Sequence, residues 1–88
     1  MSKTLYPPSE KPIFAVPNPT PAQVQAIFDW AVANGAEALF KPKHTTYWKY
    51  FGIDTDCETY WSDSKDDFKN NIITFAEFAE LAGVEVVE

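Results

Sequence analysis

Proline placement is the feature that most restricts how this chain folds. Six of its seven prolines lie within the first 21 residues: Pro7, Pro8, Pro12, Pro17, Pro19 and Pro21. Each proline lacks a backbone N–H and has a fixed φ, so such a stretch is excluded from helices and from the middle of a sheet. We therefore expect an extended, proline-rich N-terminal arm over residues 1–19.

Residues 20–88 are expected to form a single α+β domain. A chain of 88 residues has room for one domain, and its composition, 45% hydrophobic and 16% aromatic, is that of a folded protein rather than a disordered one. Three apolar residues of the arm, Ile13, Phe14 and Val16, leave two possibilities open. In the first, these side chains pack the arm against the domain; in the second, the arm is a free tail.

Two segments have the pattern of short amphipathic helices. The first begins after Thr20 with Pro21 in its first turn, and the second begins after Thr74, where Glu77 completes a capping box. A glycine follows each segment, as is common at helix ends. Apolar residues recur at helical spacing: Val24, Ile27, Phe28, Ala31 and Val32 in the first helix, and Phe75, Phe78, Ala79, Leu81 and Ala82 in the second.

Two segments rich in Thr, Tyr, Trp and Phe predict a β-hairpin. They are Thr45–Phe51 and Cys57–Trp61, joined by turn residues 52–56. Further short strands are possible at Ala36–Phe40, at Asn71–Thr74 and in the C-terminal tail from Val84. The elements together predict a small antiparallel sheet with both helices on one face, because each helix has a single apolar stripe to cover.

Aromatic side chains are expected on both faces of the hairpin. In a strand, Tyr47 and Phe51 point to one face, while Trp48 and Tyr50 point to the other. Since the helices cover one face only, some rings are expected to stay exposed and to contact a partner. The predicted partner-binding residues combine these rings with the acids of the turn: Trp48, Tyr50, Asp54, Asp56, Glu58, Tyr60 and Trp61.

The charge of the chain restricts its partners. The net charge is −6, and residues 53–67 contain six acids and one lysine. Such a surface repels phosphate backbones, so direct nucleic-acid binding is not expected. Either the acids are an ordinary charge-paired surface, or they form a negative face that steers a basic site, such as that of a nucleic-acid-binding enzyme.

The alternating acids Asp54, Asp56 and Glu58 are similar to the start of a calcium-binding loop. An EF-hand requires glycine at its sixth position and a bidentate glutamate at its twelfth. Those positions hold Thr59 and Lys65. The pattern therefore predicts a solvated turn without a metal ion.

No sequence motif indicates catalysis or a cofactor. One cysteine and one histidine, Cys57 and His44, allow neither an internal disulfide nor a zinc site, and no nucleophile motif surrounds them. We expect a non-enzymatic protein without cofactors. The chain has no signal-like apolar segment and no run long enough to cross a membrane, which predicts a cytoplasmic location.

The C-terminal half resembles a known group of proteins. It combines a Tyr/Trp hairpin and a polar loop with an I-I-T-x-x-E-F-x-x-L ending, formed by Ile72, Ile73, Thr74, Glu77, Phe78 and Leu81. Over this half the chain resembles the small acidic accessory proteins of tailed bacteriophages. The resemblance implies a non-catalytic host-takeover or anti-defence role in the host cytoplasm.

The leading hypothesis is an inhibitor that occludes a site on a host protein through the acidic, aromatic hairpin. Two alternatives remain open. The first is a nucleotide or small-molecule binder, in which Trp48, Tyr50 or Trp61 stacks on the ligand and Lys43 or Lys49 contacts phosphate. The second is a structural homo-oligomer with the rings in its subunit interface.

Overall fold

The computed structural model describes residues 13–38 and 47–86. The sequence predictions for His44, Lys43, Leu39–Phe40 and residues 1–12 lie outside these ranges. The described elements are β1 (Phe14–Pro17), α1 (Pro21–Ala33), β2 (Tyr50–Ile53), β3 (Thr59–Ser62), a 3-10 helix (Lys65–Phe68) and α2 (Phe75–Ala82). They confirm the predicted α+β fold, a small antiparallel sheet with two short helices on one face.

The sheet has the order β1-β2-β3, and both strand pairs are antiparallel. The predicted hairpin is present, but its turn lies two residues further along the chain. Gly52 and Ile53 belong to β2, while Cys57 lies in the turn with a left-handed φ of 62°. Glycine in a sequence often indicates a turn. Here Gly52 lies within β2 opposite Ala15, where the absence of a side chain lets β1 approach β2 closely.

Strand β1 lies inside the segment for which prolines predict an arm. Phe14, Ala15 and Val16 are fully buried or nearly so. On the side away from β2, the Ala15 N–H donates to the Asn71 carbonyl at 3.0 Å, and the Ala15 carbonyl accepts from the Ile73 N–H at 2.9 Å. Residues 13–17 are therefore docked on the helices and the rest of the sheet, and they supply part of the hydrophobic core.

The main core lies between the sheet and the two helices. Its centre is Phe78 of α2, whose ring stacks on Phe14 of β1 with centroids 5.3 Å apart. Trp30 of α1 packs edge-on against both rings. The buried residues of this core are Phe14, Val16, Val24, Ile27, Ala31, Ala36, Phe51, Ile53, Trp61, Ile73, Phe75, Phe78 and Ala79.

A second, smaller core covers the opposite face of the sheet. The 3-10 helix places Phe68 against Tyr50 and Ala15, and all three side chains are buried. Tyr60 and Ile72 pack around them. The helices cover one face of the hairpin, as expected, and the polar loop after β3 brings in Phe68 to cover much of the other.

Both helices begin with a capping box. The Thr74 hydroxyl accepts from the Glu77 N–H at 3.0 Å, and the Glu77 carboxylate accepts from the Thr74 N–H at 2.9 Å, as predicted. Thr20 and Gln23 form the same arrangement at α1. These caps satisfy donors that a helix leaves unpaired, so each helix start is determined locally. Gly83 ends α2 in the left-handed region, with φ 77°.

Candidate interaction surface

The structure separates the predicted partner-binding residues between the two ends of the hairpin. Asp54, Asp56 and Glu58 lie where β2 passes into β3, and Trp48 lies before the start of β2. At about 3.3 Å per residue, the chain from Trp48 to Asp54 spans about 20 Å. The residues also differ in exposure: Trp48 and Asp56 are exposed, Glu58 and Tyr60 half-buried, and Tyr50, Asp54 and Trp61 buried.

Asp54 builds the turn instead of facing a partner. One oxygen of its carboxylate accepts hydrogen bonds from the N–H groups of Asp56 at 3.0 Å and Glu58 at 3.1 Å. Its backbone carbonyl accepts from the Cys57 N–H at 3.0 Å. This is an Asx turn, for which aspartate at the first position is a recognisable sequence signal. The Asp54 side chain is 7% exposed and has a structural role.

Four carboxylates meet at this end, and we call Glu37, Asp54, Asp56 and Glu58 the acidic turn. The last three offer oxygen atoms within 4.8 Å of one another, a spacing at which they could hold a cation. Glu37 is held beside them by a parallel bridge to Glu58. Partial burial and then repulsion from Asp54, Asp56 and Glu37 raise the pKa of Glu58 above its ordinary value. The acidic turn is therefore a focus of negative potential.

The other end of the hairpin presents adjacent aromatic rings. Tyr47 is 74% exposed and Trp48 is 39% exposed, and their rings meet edge-to-face with centroids 4.6 Å apart. The Lys49 N–H donates to the Asp63 carboxylate at 2.8 Å, which joins this segment to the chain after β3. We call Tyr47, Trp48, Lys49 and Asp63 the aromatic end. Tyr47 was not among the predicted partner-binding residues, since its sequence position in a predicted strand gave no sign of its exposure.

Trp61 is a core residue with an unusual feature. Its side chain is 5% exposed and packs on Phe51, with ring centroids 4.9 Å apart. Among residues 13–38 and 47–86, no acceptor binds its buried indole N–H. A buried tryptophan N–H normally has a hydrogen-bond partner, so this donor is an exception.

The fold and this surface define a small α+β domain with an acidic turn and an aromatic end. No protein-family model, curated protein or solved structure matches the chain. In the described part of the chain, neither helix has the length and apolar character needed to span a membrane.

Proposed function

We propose that this protein is a small, acidic, non-catalytic binding protein that occludes a site on a larger protein through its hairpin. The observation that carries the proposal is the exposed pair Tyr47 and Trp48. Two large rings in contact at the surface expose adjacent apolar area, and Tyr and Trp are among the residues that dominate interface energetics. The aromatic end is the proposed anchor.

The charge of the chain supports a basic partner. It contains thirteen acids and seven lysines, a net charge of −6. Negative potential of this kind accelerates encounter with a basic surface and disfavours phosphate backbones. The partner therefore has the character of a protein with a basic site, such as a nucleic-acid-binding enzyme. The resemblance to phage accessory proteins supports a partner in a host cell and an inhibitory, anti-defence role in its cytoplasm.

The two alternative functions have less support. Of the three rings considered for stacking on a nucleotide, Tyr50 and Trp61 are buried, and Lys49 lies over the Tyr50 ring at 5.6 Å. A homo-oligomer would bring like charges together. A thermal-shift screen with nucleotides and a mass measurement in dilute solution test these alternatives directly.

Replacing both Tyr47 and Trp48 with serine is expected to weaken partner binding about 1,000-fold, because aromatic anchors contribute about 2 kcal/mol each at an interface. The partner is first identified by affinity capture from host lysate with the unchanged protein. Its dissociation constant is then measured by calorimetry for the unchanged and the double-substituted proteins.

Val32→Ser is the matched control for this experiment. Val32 is an exposed apolar residue of α1 that belongs to neither the aromatic end nor the acidic turn, so its loss should leave affinity unchanged. Thermal unfolding confirms that all three proteins are folded. Equal affinities for the double variant and the control would refute the aromatic end as the anchor.

Asp56→Asn combined with Glu58→Gln is expected to lower the association rate several-fold at low salt. The difference should shrink as salt rises, while the dissociation rate changes little, because rim charges act mainly on encounter. Asp54 is left in place since it holds the turn. Stopped-flow or surface-plasmon kinetics give both rates.

The control has the same change in charge at a different place, Asp29→Asn with Glu80→Gln on the exposed sides of α1 and α2. If this control slows association as much as the change in the acidic turn, then net charge rather than the position of the acids governs the encounter. That result would contradict a specific role for the acidic turn.

A further inference from the structure

The pair Asn34–Gly35 lies at the end of α1 and can react with itself. The Gly35 nitrogen can attack the side-chain carbonyl carbon Cγ of Asn34, because glycine has no Cβ to hinder the approach. The N–Cγ bond forms, the Cγ–Nδ2 bond breaks, and ammonia leaves with the Gly35 amide proton. Water then opens the five-membered imide ring at either carbonyl, which produces aspartate or isoaspartate.

The folded structure holds both reacting groups away from this reaction. The Asn34 side-chain amide donates to the Trp30 carbonyl at 2.8 Å. The Gly35 N–H donates to the Val32 carbonyl at 3.1 Å. Asn34 has ψ 14°, at which the Gly35 nitrogen nearly eclipses the backbone nitrogen of Asn34 and not its side chain. The ring therefore closes only after the last turn of α1 opens and this torsion rotates.

The segment that follows this pair is tied to the hairpin. Ala36 is buried, and its N–H donates to the Ala31 carbonyl at 2.9 Å. The Glu37 N–H donates to the Cys57 carbonyl at 3.0 Å, and the Glu37 carbonyl accepts from the Thr59 N–H at 2.9 Å. The two bonds of Glu37 hold this residue in the acidic turn.

Both products of the reaction disturb this arrangement. An aspartate carboxylate cannot donate to the Trp30 carbonyl, and its negative charge lies at the negative end of the α1 dipole. Isoaspartate also places an extra carbon atom in the backbone between residues 34 and 35, since the chain then continues through the former side chain. That insertion shifts the backbone that leads to Ala36 and Glu37.

We propose that Asn34–Gly35 is a self-modification site whose reaction the fold suppresses, and that conversion to isoaspartate releases Glu37 from the hairpin. The end of α1 then acts as a one-way switch. Each opening of the last turn exposes the pair to reaction with water, and the isoaspartate product removes the Glu37 carboxylate from the acidic turn. This inference does not depend on the proposed function.

Deamidation rates of the full chain, measured by peptide mapping with mass spectrometry, test suppression by the fold. The chain is kept at mildly alkaline pH in buffer and in guanidinium chloride. In denaturant, Asn34 is expected to convert several-fold faster than Asn70 and Asn71, which precede residues that have side chains. In buffer, Asn34 is expected to convert about tenfold more slowly or less, because opening must break both protecting hydrogen bonds.

Gly35→Ala is the matched variant in denaturant, where its effect on folding does not matter. Its Cβ is expected to slow conversion of Asn34 several-fold. Equal conversion of Asn34 in buffer and in denaturant would overturn suppression by the fold. Conversion in denaturant no faster than that of Asn70 would overturn the assignment of the site.

Amide hydrogen exchange tests the release of Glu37. The isoaspartate form is purified after conversion in denaturant, refolded and compared with the unchanged protein by NMR. Exchange at Glu37 and Thr59 is expected to be about tenfold faster in the isoaspartate form. The Ala15 amide, which donates to the Asn71 carbonyl at the opposite edge of the sheet, is the internal reference and should not change.

Two results of this exchange measurement would overturn the release. One is unchanged exchange at Glu37 and Thr59 in the isoaspartate form. The other is equal acceleration at Ala15, which would show a general loss of structure instead of the release of one segment.

Discussion

Gly52→Ala is expected to lower the free energy of unfolding by more than about 3 kcal/mol, which is more than half of the stability of a domain of this size. A Cβ atom at this position would lie 2.0 Å from the Phe14 carbonyl oxygen and 2.6 Å from the Ala15 Cα. Both atoms belong to the backbone of β1, so no side-chain rotation relieves the overlap. Separating the strands would break the β1–β2 ladder, at a cost above about 3 kcal/mol. Small domains have about 5 kcal/mol of stability or little more. Urea unfolding followed by circular dichroism measures the loss.

Gly35→Ala is the matched control for this substitution. Gly35 has φ +99° at the end of α1, and a Cβ there would meet no atom within 4 Å. Its replacement introduces backbone strain of about 1–2 kcal/mol without a steric clash. The large difference between the two variants should report the close approach of β1. If the two variants lose the same amount of stability, the backbone freedom of glycine, rather than the close approach of β1, explains why residue 52 is glycine.

Local signals were sufficient to predict the helices, whereas the hairpin turn was placed two residues too early. Thr74 and Glu77 lie three residues apart and satisfy each other's backbone groups, so the start of α2 follows from sequence alone. The same logic applies at Thr20, where the sequence also contains Gln23 for a second capping box. The α+β class followed from these helices and from the β-forming composition of the hairpin.

Exposure could not be predicted because it depends on contacts distant in sequence. Tyr50 is buried by Phe68, which lies 18 residues further along the chain within a polar loop. Trp61 is buried by the helices and by Phe51. Tyr47, in contrast, lies before the first residue of β2 and is exposed. The aromatic composition of the hairpin predicted a binding surface on it. Only the packing of both sheet faces shows that the exposed rings lie at one end of the hairpin.

The chain starting at residue 20 is expected not to fold. The prolines predict that this is where the domain begins, but such a chain lacks β1. Burial of Phe14 and Val16 contributes about 1.5–3 kcal/mol each. The shortened chain also loses the hydrogen bonds of Ala15 to residues 71 and 73, together with the bond from the Asn71 side chain to the Ile13 carbonyl. The summed loss exceeds the stability available to a domain of this size.

A chain starting at residue 13 is the comparison, since the two shortened chains differ only in residues 13–19. The longer one is expected to show dispersed amide NMR signals and a cooperative thermal transition, and the shorter one neither. If both unfold at the same temperature, β1 adds nothing to the domain and the boundary after residue 19 is correct. We expect this result because prolines restrict only the backbone: each fixes φ and removes one N–H donor. They do not prevent Phe14, Ala15 and Val16, between Pro12 and Pro17, from forming a short strand with buried side chains.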